Sequence, residues 1–228
     1  DPTSTAIAFD PCGEDGRLPR AALERTFERY WRELEERRSG ASPADAYSAY
    51  EIRNAVALLR LGWKDRALEL LDWLVSDQRT TGWRQWPEVS TRDRRAPRFL
   101  GDLPHGWIAS TFLRSLRRLL VDERRDEGVL VVAPGVPEAW LRDGDGVRLR
   151  GLPTIFGPLD LHLRAESGDA ARASFGGSCR PPGGVHLASP LARPLRGILV
   201  DGRPVPVTDP GGVSLREVPG EVRLRYSA

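Results

Sequence analysis

The chain has 228 residues, 40% hydrophobic and 29% charged, which is globular rather than disordered material and long enough for one large domain or two modest ones. Its 34 basic and 32 acidic side chains leave a net charge of +2, too small and too evenly mixed for a nucleic-acid partner. No apolar run approaches the roughly 20 residues of a membrane-spanning helix, and no basic-then-apolar signal segment opens the chain.

Methionine is absent even at position 1, so the expectation is a piece of a longer protein whose start was set by cleavage or by choice. Lys64 is the only lysine, and the cluster Arg92, Arg94, Arg95 and Arg98 is broken by Asp93 and Pro97; it reads as a solvated loop. Cys12 and Cys179 stand far apart with no CxxC spacing, which excludes a metal or redox motif and leaves two free thiols, the plainer reading, or a single long-range disulfide. The compartment stays open, with a bacterial secreted or periplasmic location favoured.

Residues 20 to 121 read as four helices. In the first, Leu23, Phe27, Tyr30 and Leu34 recur at helical spacing and Gly40 supplies the stop. The second is announced by Ser42-Pro43-Ala44-Asp45 and is apolar or small on most sides from Ala44 to Leu61, which suits a helix enclosed by others. The third, Lys64 to Asp77, carries Leu68, Leu71 and Val75 on one stripe. The fourth, His105 to Val121, carries Ile108, Phe112, Leu116 and Leu119 on another. Between them, Gln78 to Pro104 has no period, and loops of that length in compact domains are commonly functional.

After Asp126 glycine and proline become dense, 28 of the last 103 residues against 14 of the first 125, and the apolar period falls to two. Leu159, Leu161 and Leu163 alternate with Asp160, His162 and Arg164 as in a half-buried strand. Two hairpins are expected: Ile198–Val200 with Val205–Val207 around Asp201-Gly202, and Val213–Val218 with Val222–Tyr226 around Pro219-Gly220. Short strands with regular turns indicate an antiparallel β-sandwich or a partly closed barrel. The resulting division is residues 1–125, helical hairpins, and 126–228, the sandwich: an α+β multidomain chain.

P-loop, HExxH, nucleophile-elbow, dinucleotide and zinc signatures are all missing, so no cofactor or metal is expected. Asp143-Gly144-Asp145-Gly146 reads as a tight turn rather than half a calcium loop, and His162 and His186 as structural. If the four helices alternate in direction, the turn at 39–43 and the loop at 78–104 emerge at one end. That end collects Asp45, Tyr47, Tyr50, Glu51, Trp83, Trp86, Glu88, Asp102, His105 and Trp107. Aromatic faces stack on sugar rings while carboxylates and imidazole bind hydroxyls, so the mixture suits a carbohydrate pocket; it equally suits a stapled loop.

Gly82-Trp83-Arg84-Gln85-Trp86-Pro87-Glu88, then Gly101-Asp102-Leu103-Pro104-His105-Gly106-Trp107, a strand at Val129–Val132, and Gly151-Leu152-Pro153-Thr154 with Gly157-Pro158-Leu159 resemble the six-hairpin glycosidases, in particular bacterial proteins similar to α-L-rhamnosidases. The resemblance implies an (α/α)6 toroid of twelve helices followed by a β-sandwich, of which this chain holds the last four helices or so. It also implies a Trp-Glu-x-Trp loop bearing a catalytic carboxylate. Here Arg84 stands where that glutamate belongs and Glu88 is the substitute; the resemblance puts the partner acid on an earlier hairpin that this chain lacks, while the two-carboxylate chemistry of glycoside hydrolysis independently offers Glu88 with Asp102 or Glu51. Trp83, Trp86, His105, Trp107, Tyr47 and Tyr50 would bind the sugar. The expected partners are a carbohydrate and, across exposed apolar helix edges, the missing N-terminal part of the protein or a second copy. The expected function is therefore one wall of a glycoside hydrolase-like cleft, inactive as this piece alone, and the alternative is a non-catalytic carbohydrate-binding or interaction module.

Overall fold

The computed structural model describes residues 1–42, 46–77, 82, 84–91, 99–166 and 169–227, with backbone alone at 46, 47, 99 and 100. The chain falls into two compact units, Asp1–Arg118 and Leu119–Ala228. Helices and largely antiparallel sheets make it an α+β protein.

The first unit opens with α1 (Pro2–Phe9), which sequence periodicity did not announce; Asp1 caps it by accepting the Thr3 N–H at 3.0 Å. Then comes α2 (Arg20–Ser39), which buries Leu23, Phe27, Tyr30, Trp31 and Leu34 and ends at Gly40 with φ 80°, as expected. Phe9 meets Phe27 edge to face at 5.6 Å, joining α1 to α2.

The expectation of helix from Ala44 onward is corrected. Residues 43–45 lie outside the described part, and the chain then runs as strand β1 (Ala46–Ser48) and a 3-10 turn (Ala49–Glu51) before α3 (Ile52–Arg60). Ser48 accounts for the delay: its hydroxyl accepts the Tyr50 N–H and caps the turn. Within α3, Ile52, Asn54, Ala55, Val56, Ala57 and Leu58 are buried, the enclosed helix that the composition indicated.

Next is α4 (Lys64–Ser76), whose buried set is Ala67, Leu70, Leu71 and Leu74; the stripe through Leu68 and Val75 is wrong, and Val75 is 50% exposed. The sequence offers both stripes, and 67, 70, 71, 74 is the fuller i, i+3, i+4, i+7 pattern. Strands β2 (Val89–Thr91) and β3 (Phe99–Leu100) follow, then α5 (Gly106–Leu120). The strands before residue 100 contradict a purely helical reading of 20–121. They form a small antiparallel sheet in the order β1-β2-β3, with Ser48 opposite Val89 and Val89 opposite Leu100.

The second unit contains β4 (Val121–Arg124), β5 (Val129–Val132), a short α6 (Glu138–Arg142), β6 (Val147–Leu152), β7 (Leu159–Glu166), β8 (Ala170–Gly177), β9 (Val185–Ala188), β10 (Leu195–Val200), β11 (Arg203–Val205), β12 (Gly212–Leu215) and β13 (Glu221–Tyr226). Six strands pair antiparallel in the order β11-β10-β13-β8-β7-β6, and four in the order β12-β9-β5-β4. One buried cluster draws on both sheets, with Leu159, Leu161, Leu163, Val222 and Leu224 from the larger and Leu130, Val132, Val185, Leu187 and Val213 from the smaller. The alternation read at 159–163 is thus a strand with one face in the core.

The hairpin at Asp201-Gly202 forms, with both turn residues at positive φ (48° and 77°), but its second arm is Arg203–Val205 rather than Val205–Val207, because the two-residue turn pairs Val200 with Arg203. The second hairpin does not form. Its two arms, β12 and β13, lie in different sheets, β12 beside β9 and β13 between β10 and β8. The smaller sheet also carries one parallel pair, β5 with β9, where only antiparallel pairing was expected.

Candidate functional site

The small sheet of the first unit is what assembles the site. Its ladder continues past the strand ends: the Glu88 N–H donates to the Asp102 carbonyl at 3.2 Å and the His105 N–H to the Trp86 carbonyl at 3.1 Å. The segment 86–88 is thereby laid beside 102–105. Ser48 ties the third element in, since its hydroxyl donates to the Glu88 carbonyl at 3.0 Å while accepting the Tyr50 N–H at 3.2 Å. Gly101, at φ 90°, lies directly against the Glu88 side chain, and a Cβ there would collide with Glu88 Oε2.

These contacts deliver Tyr50 to His105. The phenol oxygen is 2.8 Å from His105 Nε2, and the rings meet edge to face at 5.6 Å. A phenol that donates to Nε2 leaves the ring proton on Nδ1. That nitrogen is buried without a hydrogen-bond partner and faces Asp102 Oδ2 at 3.7 Å. The Trp107 indole, 69% exposed, lies 6.5 Å from the imidazole between ring centres. Arg53, three residues beyond Tyr50, places its guanidinium 4.3 Å above the Tyr50 ring.

Burial and then the negative charge of Glu88, with a smaller push from Asp102, hold the Tyr50 phenol above its ordinary pKa, and Arg53 opposes them. Arg53 is itself lowered, by burial and by its like-charged neighbour Arg114. The arrangement offers a phenol–imidazole pair, two carboxylates, a guanidinium and an exposed indole. Such groups can bind hydroxyls and stack a ring.

Of the residues picked from the sequence, Tyr50, Glu88, Asp102, His105 and Trp107 come together here. Trp86 joins by its carbonyl only; its indole is 8% exposed, packs on Phe112 at 4.8 Å and approaches the Leu74 carbonyl at 3.4 Å, as a core residue does. Glu51 is engaged elsewhere. Both its oxygens are taken by Arg37 at 2.7 Å, one of them also by the Tyr30 hydroxyl at 2.8 Å, and it is 6% exposed. A carboxylate so paired is spoken for as structure. Tyr47 lies on β1 opposite Ser90, and its side chain, like all of Trp83 and the arginines at 92, 94, 95 and 98, lies outside the described residues. Arg84, read from the sequence as standing in place of a glutamate, is exposed at φ 52°.

Sequence reasoning missed Ser48, Arg53 and Gly101. The Tyr50–Arg53 spacing of three was a readable helix signal, whereas the roles of Ser48 and Gly101 depend on strand pairing. Outside the site, His162 and His186 have local partners, the Asp145 carbonyl at 2.7 Å and the Ser214 hydroxyl at 2.9 Å. The 143–146 segment turns between α6 and β6, with Gly144 and Gly146 at positive φ. Cys12 is exposed and Cys179 buried, both as free thiols. Among the described residues no group of three His, Cys, Asp or Glu side chains could hold a metal ion, and no helix is long and apolar enough to cross a membrane.

No family model matches the chain, and no curated protein matches it. Among solved structures it is similar to a GH127 beta-L-arabinofuranosidase from Geobacillus stearothermophilus T6, at 9% identity and a TM-score of 0.40. The match covers 78% of this chain and 31% of that one.

Proposed function

We propose that the first unit contributes one wall of a sugar-binding cleft in a glycoside hydrolase-like protein. In this reading residues 1–125 are hairpins of an incomplete (α/α)6 toroid and residues 126–228 a β-sandwich. The observation that carries it is the Tyr50–His105 pair, held between the loops of Glu88 and Asp102 beside the exposed Trp107. Neutral imidazole and phenol bind sugar hydroxyls in either direction, carboxylates accept from them, and an indole face takes the apolar side of a pyranose. Glu88 is the candidate acid or base and Asp102 its partner, since Glu51 is already paired. Exposed Val75 and Leu113 on α4 and α5 suit cover by further hairpins of the same protein.

The test is turnover of a panel of aryl glycosides by the complete protein. Glu88→Gln is expected to abolish turnover while leaving the thermal midpoint within a degree or two; unchanged turnover would remove Glu88 from the mechanism. Arg84 in place of the expected glutamate and the engaged Glu51 favour a second reading, a binding wall without catalysis. That reading predicts no turnover and saturable sugar binding that His105→Ala abolishes.

A further inference from the structure

Beside the Tyr50–His105 pair, the first unit holds a groove of about 380 Å³ between α1, α3 and α5. Asp10, Arg53, Trp107, Ser110, Thr111 and Arg114 supply its polar and aromatic lining. Charge there is unbalanced. Asp10 gives Oδ2 to Arg114 at 2.8 Å and Oδ1 to Arg118, outside the lining, at 2.9 Å, so its capacity is used up. Arg53 has no carboxylate or hydrogen-bond partner among the described residues; its guanidinium stacks on Tyr50 instead. Two guanidinium groups and one carboxylate leave the lining with one excess positive charge.

We infer that this groove takes the carboxylate of an acidic sugar, a hexuronate, with Arg53 as the charge partner and Trp107 as the stacking face. Arg53 is the one guanidinium of the lining without a carboxylate partner among the described residues, and a single carboxylate is the group that completes it. The planar guanidinium fork matches a carboxylate two bonds at a time. Trp107 stands at the rim, 69% exposed, and the Ser110 and Thr111 hydroxyls lie along the same face of α5. Arg53 already contacts Tyr50 and Trp107 already neighbours His105, so the groove and the phenol–imidazole pair form one continuous surface. The volume suits a single sugar ring. Among the described residues the guanidinium it meets has no ion pair to break, and the anion's charge offsets the repulsion from Arg114 that, after burial, lowers the Arg53 pKa. The sugar half of this inference rests on the carbohydrate reading above, and the charge half stands on the groove.

Calorimetric titration of the 228-residue chain with sodium methyl glucuronide, neutral methyl glucoside and sodium acetate tests it. The glucuronide is expected to bind at least ten-fold more tightly than the glucoside, with acetate far weaker than both. Arg53→Gln is expected to abolish the preference, bringing the glucuronide down to the variant's own affinity for the glucoside. Trp107→Ala, at an exposed position where folding is not at stake, is expected to weaken both sugars. Equal affinity for glucuronide and glucoside, or an Arg53→Gln protein that still prefers the glucuronide, overturns the inference and leaves the carbohydrate reading standing. Acetate binding as tightly as glucuronide overturns both, as does no binding of either sugar.

Discussion

Glu51 and Glu88 show how two glutamates of similar sequence setting diverge once their partners are known. Glu51 is enclosed with Arg37 and Tyr30, and removing a charge from such a buried pair leaves the other uncompensated. Glu51→Gln is therefore expected to lower stability by about 3–5 kcal/mol in urea titration, with sugar affinity at low temperature unaffected. A loss of affinity without a loss of stability would instead put Glu51 in the site. Glu88 is half-buried against Gly101, whose positive φ and lack of a Cβ are both required there. Gly101→Ala is expected to cost about 1–3 kcal/mol in backbone strain and, by driving the Glu88 carboxylate aside, to weaken sugar binding at least ten-fold. Unchanged binding in that variant would show that the position of Glu88 does not matter. Nothing in the local sequence separates the two glutamates: the partner of Glu51 lies fourteen residues back on α2, and the close approach at Gly101 exists only after β2 and β3 pair.

Elements with a full period were legible, and those made by distant pairing were not. The stripes of α2 and α5 and the alternation of β7 each bury one face of a single segment, so the segment alone carries the signal. The Asp201-Gly202 turn is similarly local, since two consecutive positive φ values demand small or turn-forming residues. Gly202→Ala is expected to cost about 1–2 kcal/mol, the left-handed penalty of an L residue, read as a lowered urea midpoint; no change would mean that the turn relaxes without effort. By contrast β1 and β3, of three and two residues, are too short to show any period, and β1 lies within an apolar stretch that reads as helix. The sheet that β12 joins is decided by β9, and the parallel pairing of β5 with β9 spans more than fifty residues of intervening chain. Local turn chemistry at Pro219-Gly220 therefore suggested a hairpin that tertiary pairing overrode.

Across the molecule, three of the four tyrosines are held above the ordinary phenol pKa. Tyr30 is fully enclosed and raised first by burial and then by Glu51, Tyr50 by burial and Glu88, and Tyr226 by burial. Each stays neutral in the fold at a pH where the unfolded chain ionises. Their contribution to stability is thus complete below about pH 10 and is lost as pH rises through the folded values. Phenolate absorbance is expected to lag that of the denatured chain above pH 10 and then to rise with unfolding; a titration overlaying the denatured curve would contradict the burial of Tyr30. The site gathers in a comparable way. Aromatic and acidic residue types in a long unpatterned loop pointed to Glu88, Asp102, His105 and Trp107, but Ser48 and Arg53 enter only because β1 and α3 are brought to that loop. The proposal that this gathering binds sugar is tested most directly by the three histidines, because only His105 lies in the site while His162 and His186 keep local partners in the second unit. In proton–nitrogen NMR of the imidazole rings, added glycoside is predicted to shift the His105 signals saturably and leave those of His162 and His186 in place. An unmoved His105 at saturating sugar, or equal movement of all three, would contradict it.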